Sequence, residues 1–143
     1  MKSTLLFIVY VIYLFLLISL SFIIVFPHPV IADPIIEVKT IDSEINRLSI
    51  KYSIATSTAY GIIYCESRMY GSAVNYNRLS DGSIWSEDRG AFQINDYFHK
   101  DTMTKLGLDY YNEFDSLEYG FILLQSQGLT PWNASKGCWS KLI

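Results

Sequence analysis

Hydrophobic and polar positions divide this chain at residue 27. Before it, Leu5 to Phe26 is an unbroken run of 22 residues without a charge, its only polar members Ser and Tyr. At about 1.5 Å per helical residue the run reaches roughly 33 Å, enough for a bilayer core, and it predicts one N-terminal transmembrane helix. A cleaved signal peptide carries a shorter apolar region of about 7–15 residues, so run length favours a retained anchor. The rival is cleavage after Ala32, where Val30-Ile31-Ala32 offers small residues, which would leave a secreted protein. Lys2 and the amino terminus are the only positive charges before the run. They keep the N-terminus in the cytoplasm and send the rest outward.

Beyond the run, Pro27, Pro29 and Pro34 make a short stiff spacer that ends near residue 40. The apolar spacing Ile45, Leu48, Tyr52 predicts a helix from about Ile41 to Ser53. Ile54-Ala55-Thr56 reads as a connection, and Ser57 as the N-cap of a second helix ending near Glu66. Gly71 to Arg89 loses helical periodicity and is rich in Asn, Ser, Asp and Gly. Within it Ser80-Asp81-Gly82-Ser83 reads as the turn of a β-hairpin. Helical character returns from Ala91 to about Leu106. Asp115-Ser116-Leu117-Glu118 has the cap-x-x-Glu form of a helix start, with Leu117, Phe121 and Leu124 as its buried stripe. Gly128 is the expected stop, followed by a Pro131-Trp132 loop. The class is α+β, mostly helical with one small antiparallel hairpin sheet.

Composition narrows the function. Residues 33–143 number 111, which suits one domain with one core. Lys2 is the one basic residue outside them, so they carry 10 Lys+Arg against 14 Asp+Glu, net −4. That balance argues against a nucleic-acid partner and supplies no polybasic patch for anionic lipid. Both cysteines, Cys65 and Cys138, lie in the exported part, where a pair is more often bridged than free. The bridge would close a loop of about 74 residues, worth roughly 4 kcal/mol by chain entropy. His28 and His99 lack the spacing of zinc ligands, so no metal site is expected. Asp109 to Asp115 is acidic but without calcium-loop spacing or its central Gly.

One position resists a purely structural account. Ala59, Ile62 and Ile63 follow the i, i+3, i+4 spacing of a buried stripe, and Glu66 at i+7 continues it. A carboxylate on that face is partly desolvated, which raises its pKa toward the range of a general acid at neutral pH. From the stripe alone, a helix-end Glu bending out to solvent is an equal alternative.

Around Glu66 the residues form a wider pattern. Glu66-Ser67, Ala73, Asn75 and Asn77, Asp81-Gly82-Ser83, and Asp88-Arg89-Gly90-Ala91-Phe92-Gln93-Ile94-Asn95 resemble the helix end, hairpin and next helix of animal-type lysozymes. Arg78-Leu79 and Ile84-Trp85-Ser86 lengthen the hairpin. Gly128 to Ala134 followed by Cys138 resembles the late Gly, Trp and Cys of those enzymes. Cys65-Glu66-Ser67 and Cys138-Trp139 also resemble bacterial lytic transglycosylase and resuscitation-promoting-factor domains, which share the lysozyme-like fold. Asn133-Ala134-Ser135 matches a glycosylation acceptor but lies inside the matched Trp loop.

The resemblance covers about residues 41–139 and implies a lysozyme-like catalytic domain over 41–143. It implies cleavage of the β-1,4 bond between N-acetylmuramic acid and N-acetylglucosamine in peptidoglycan, without a cofactor. Glu66 would be the acid, and Trp132 would exclude water from it. Asp88, or its neighbour Glu87, would be the second carboxylate that stabilises or attacks the oxocarbenium-like state. In lytic transglycosylases that residue is often dispensable, because the sugar's own 6-hydroxyl closes an anhydro ring. Asn75, Asn77, Gln93 and Asn95 would line the cleft floor, and Trp85 and Tyr97 would stack on sugar rings. Lytic transglycosylase is favoured over hydrolysing lysozyme. A non-catalytic glycan-binding domain and a subunit of an envelope-spanning secretion assembly are the readings outside that pair. The sequence assigns no protein partner.

Overall fold

The structure, a computed structural model, describes residues 10–13 and 39–143. The chain divides into two units, Met1–Glu37 and Val38–Ile143. Of the first, residues 10–13 are helical. The expected fold is corrected here: among the described residues no helix is long and apolar enough to cross a membrane. The rest of the Leu5–Phe26 run, the spacer up to Val38 and the Ala32 cleavage position lie outside the described residues. Over the described residues the fold class is therefore α+β, with no membrane-spanning helix among them.

The second unit runs α1 (Ile41–Tyr52), α2 (Thr56–Ser67), β1 (Val74–Arg78), β2 (Ile84–Arg89), β3 (Ile94–Asn95), α3 (Asp96–Lys105), α4 (Glu113–Gln127), a 3₁₀ segment (Thr130–Ser135) and a short α5 (Lys136–Trp139). Thr40 caps α1 through a reciprocal box with Ser43. Ser53 closes α1 in the left-handed region at φ 56°. Ile54 N–H then returns to the Ser49 carbonyl at 3.0 Å, so the chain reverses at once. As a result α2 begins at Thr56 with Ala55 as its N-cap, and Ser57, expected as the cap, sits inside the first turn.

The hairpin turns at Leu79–Ser83, where Gly82 has φ 85°. The helix expected from Ala91 starts later. Gly90 and Gln93 take positive φ values of 80° and 52°, which break helical geometry, and Ile94–Asn95 pairs with β2 as a third strand. Asn95 then caps α3 by accepting from Phe98 N–H. The sheet is thus three-stranded and antiparallel, in the order β1-β2-β3. Likewise α4 starts at Glu113 rather than after Asp115, because the Asn112 side chain accepts from both Phe114 and Asp115 N–H. Gly128 ends α4 at φ 62°.

The core is built from one face of each long helix. Ile45 and Leu48 of α1, Ala59, Ile62 and Ile63 of α2, and Leu117, Phe121 and Leu124 of α4 are buried together. Phe92 is the central aromatic, edge-on to Phe121 at 5.6 Å and tilted against Trp132 at 5.1 Å. Its ring packs directly against Gly120, where a Cβ would overlap the ring carbons. Gly120→Ala is accordingly expected to cost about 1–3 kcal/mol, the usual penalty for overpacking. A denaturant midpoint within error of wild type would show that the ring can move aside.

Glu44 is buried at 4% exposure, yet it is paired. Arg47 donates to both its oxygens, at 2.6 and 3.0 Å, and Lys39 lies 3.4 Å away. The Arg47 hydrogen bonds hold its carboxyl below the usual range against the opposing effect of burial. Cys65 and Cys138 form a disulfide, which joins α2 to α5. A structural disulfide is compatible with a location outside the cytoplasm.

Candidate functional site

A cleft of about 360 Å³ opens between the end of α2, the sheet and the loop after α4. Glu66 and Asp88 both line it. Glu66 arrives there because α2 carries its apolar stripe into the core, and the seventh position of that stripe falls at the core's rim. The side chain is half-buried. Desolvation raises its pKa, the Asp88 carboxylate across the cleft adds to the rise, and a hydrogen bond from Ser135 opposes it. That bond is short, with Ser135 Oγ 2.5 Å from Glu66 Oε1. A group in this condition holds a proton to a higher pH than an exposed Glu and releases it to a nearby basic oxygen.

Asp88 is held by strand geometry. Side chains alternate along a strand, so Asn75 and Asn77 of β1, Ser86 and Asp88 of β2, and Asn95 of β3 share one face. The register pairs Asn75 with Asp88, Asn77 with Ser86, and Asp88 with Asn95. Asn77 Nδ2 donates to Asp88 Oδ2 at 3.0 Å, and Asn95 Nδ2 donates to Oδ1 at 2.7 Å. Both amides also reach Ser86 Oγ, at 3.0 and 3.1 Å. Each carboxylate oxygen therefore has an amide donor, which fixes the plane of the group facing the cleft. Asn95 serves twice, since its oxygen caps α3 while its nitrogen holds Asp88.

Trp132 closes the cleft from behind. It is 4% exposed and its indole N–H donates to the Phe92 carbonyl at 3.0 Å. Its own carbonyl accepts from Trp139 Nε1 at 2.8 Å. The indole is thus fixed through its own N–H, the residue's backbone is held by Trp139, and the ring leaves an apolar wall at the cleft. Gln93 also lines the cleft, its amide donating to the Gly90 carbonyl at 2.9 Å, which ties the left-handed turn together.

Five residues expected at the site lie apart from the cleft lining: Asn75, Asn77, Trp85, Glu87 and Tyr97, of which Asn77 reaches it only through Asp88. Asn75 is exposed on the same sheet face as Asp88 but does not line the cleft. Trp85 points the other way, as its place one residue before Ser86 dictates, and lines a separate hollow with Glu87 and Arg89. Glu87, the alternative second carboxylate, accepts from Arg89 there and faces away from Glu66. Tyr97 is exposed and edge-on to Trp85 at 5.7 Å.

Phe98, which does line the cleft, is 6.5 Å from Trp85, so the three rings form an exposed aromatic rim running away from it.

Sequence reasoning missed Ser135, Ser86 and His99. Ser135 comes from a segment 69 residues away from Glu66, and no local pattern marks it. Ser86 could have been found from alternation with Asp88 once the strand was placed. His99 lines the cleft with its Nδ1 3.0 Å from the Tyr119 hydroxyl, and burial lowers its pKa. A larger depression of about 550 Å³ lies on a different face of α2, lined by Tyr60, Tyr64, Met69 and Leu142. Its one carboxylate, Asp42, accepts from Tyr60, and it holds no acid–base pair. Among the described residues no group of three His, Cys, Asp or Glu side chains is placed to hold a metal ion. No family model matches this chain, and no curated protein matches it.

Proposed function

We propose that this protein cleaves the β-1,4 bond between N-acetylmuramic acid and N-acetylglucosamine in peptidoglycan, as a lytic transglycosylase acting outside the cytoplasm. The observation that carries the reading is Glu66: a half-buried carboxyl on a cleft wall, its pKa raised by burial, backed by the buried Trp132 indole and facing a carboxylate fixed by two amides. The motif resemblance from Cys65-Glu66-Ser67 to Gln93-Ile94-Asn95 supports the same chemistry.

In the proposed reaction Glu66 protonates the glycosidic oxygen as the bond from muramic acid C1 breaks. Positive charge grows on the sugar ring, and Asp88 stabilises it electrostatically. Glu66, now ionised, takes the proton of the 6-hydroxyl as that oxygen bonds to C1. The products are a free N-acetylglucosamine 4-hydroxyl and a 1,6-anhydro muramic acid end. Glu66 is reprotonated and no water is consumed. Glycan strands are the proposed partner, with Gln93 and Asn95 supplying polar contacts and Tyr97 and Trp85 an aromatic rim for a longer strand. No step calls for a cofactor.

The rigid seat of Asp88 also favours a second reading, hydrolysis, in which Asp88 attacks C1 or water adds directly. Product mass separates the two, since an anhydro end is one water lighter than a reducing end. Digestion of purified sacculi is expected to yield anhydro ends, and Asp88→Asn is expected to slow cleavage less than about tenfold, as the amide keeps the shape and one of the two acceptor oxygens but loses the charge. Reducing ends together with a loss near that of Glu66→Gln would establish hydrolysis. Binding to sacculi without any cleavage would make the chain a glycan-binding domain.

A further inference from the structure

We propose that Ser135 is a positioning residue for the acid, its hydroxyl occupying Glu66 Oε1 as a donor so that the transferable proton resides on Oε2. The inference rests on the reading of Glu66 as the proton donor. Ser135 Oγ lies 2.5 Å from Glu66 Oε1 and 3.2 Å from the Trp132 carbonyl. A hydroxyl has one proton to give. Ionised Glu66 is the nearer and the charged acceptor, so the hydroxyl points at it. When Glu66 is protonated, an oxygen that already accepts a hydrogen bond is the poorer place for the proton, which settles on Oε2.

Ser135 is itself held in place. It ends the 3₁₀ segment, the Trp132 carbonyl beneath it is pinned by Trp139, and Cys138, three residues on, is bonded to Cys65 beside Glu66. The disulfide therefore couples the two ends of the Glu66–Ser135 contact through the covalent chain. Ser135 makes and breaks no covalent bond in the reaction. The proton leaves Oε2 for the glycosidic oxygen and returns to Oε2 from the attacking 6-hydroxyl, while Ser135 donates to Oε1 throughout.

The other titratable groups facing this cleft are Asp88 from β2 and His99 from α3. From α4 come Leu123 and Gln127, and from the loop after it Pro131 and Trp132, none of which titrates. The test is a carbon-13 NMR titration of the full chain labelled at Glu Cδ, with the Glu66 signal identified by its loss in Glu66→Gln. Ser135→Ala is expected to raise the Glu66 midpoint above wild type, because it removes the donor that stabilises the ionised form. Ser135→Thr, which keeps the hydroxyl, is expected to titrate near wild type. Should the Ala variant fail to fold, Ser135→Cys, a weak donor, is expected to shift the midpoint in the same direction. In cleavage assays Ser135→Ala is expected to lower kcat about tenfold with KM little changed. The alkaline limb of its kcat profile is expected to move with the NMR midpoint. An Ala midpoint at or below wild type overturns the proposal, as does a Thr variant that titrates like Ala. The titration requires no turnover, so absent cleavage by the wild type would sink the proposed function and leave this result to be judged by itself.

Discussion

Glu66→Gln is expected to leave a folded protein whose glycan cleavage falls by about 10²–10⁴-fold, the usual worth of general-acid catalysis. The amide preserves shape, and its oxygen still accepts from Ser135 Oγ, but it delivers no proton. The same variant carries a stability signature. Burial raises the Glu66 pKa in the folded chain above its unfolded value. The folded state therefore binds that proton more tightly, and the stability this confers is full below the unfolded pKa and lost as pH rises through the folded one. Once pH has risen past the folded pKa, the ionised, half-desolvated carboxylate is a cost that Gln lacks. Melting of Glu66→Gln at neutral pH is expected at or above wild type, with the advantage shrinking in acid. Turnover of purified sacculi near the wild-type rate would sink the catalytic assignment, and a lower neutral-pH Tm would contradict the burial argument.

Replacing both cysteines by alanine is expected to produce the largest stability loss. The bridge spans a sequence separation of 73 residues, for which the chain-entropy model gives roughly 4 kcal/mol, within the range of about 2–5 found for native bridges. For a domain of about 100 residues that corresponds to a Tm lower by at least about 10 °C. The effect acts mainly on the unfolded chain, so the cleavage rate per folded molecule, measured well below Tm, is expected to stay within a few-fold of wild type. Calorimetry of the oxidised protein and the double variant checks the first part. A Tm difference under about 2 °C would mean that packing around Trp139 and Cys138 carries the C-terminal end without the bridge.

Much of the helical frame was legible because its signals are local. The stripes through Ile45 and Leu48, through Ala59 and Ile63, and through Leu117 and Leu124 repeat at helical spacing, and burial follows from that alone. Helix starts were less legible, since caps depend on how the preceding chain arrives. Asn112 outcompeted Asp115 because Asp115 Oδ2 accepts from Asp109 N–H instead. The region after Gly90 was misread as helix. Its residues tolerate helix, but pairing of Ile94–Asn95 with β2 supplies hydrogen bonds that no local propensity encodes. The apolar run of Leu5–Phe26 shows another limit, for length and hydropathy alone argued a spanning helix that the described residues do not contain.

For the candidate site, the chain by itself singled out Glu66 but left two places open for it. A carboxylate in the seventh place of an apolar stripe can stay at the core boundary or bend out to solvent, and the fold puts it half-buried on the cleft wall. The two cysteines were likewise predictable as a pair, there being no others to choose from. Tertiary structure alone decided which residues surround that carboxylate. Strand register set Asn77, Ser86 and Asn95 around Asp88 while leaving Trp85 and Glu87 on the opposite face, and a one-residue slip would exchange the two sets. Ser135 reached Glu66 only because the chain returns across the core and is tied there by the bridge. Periodicity reports which face of an element is buried; which side chains meet across that face is settled by packing between distant segments, and no local spacing carries that information.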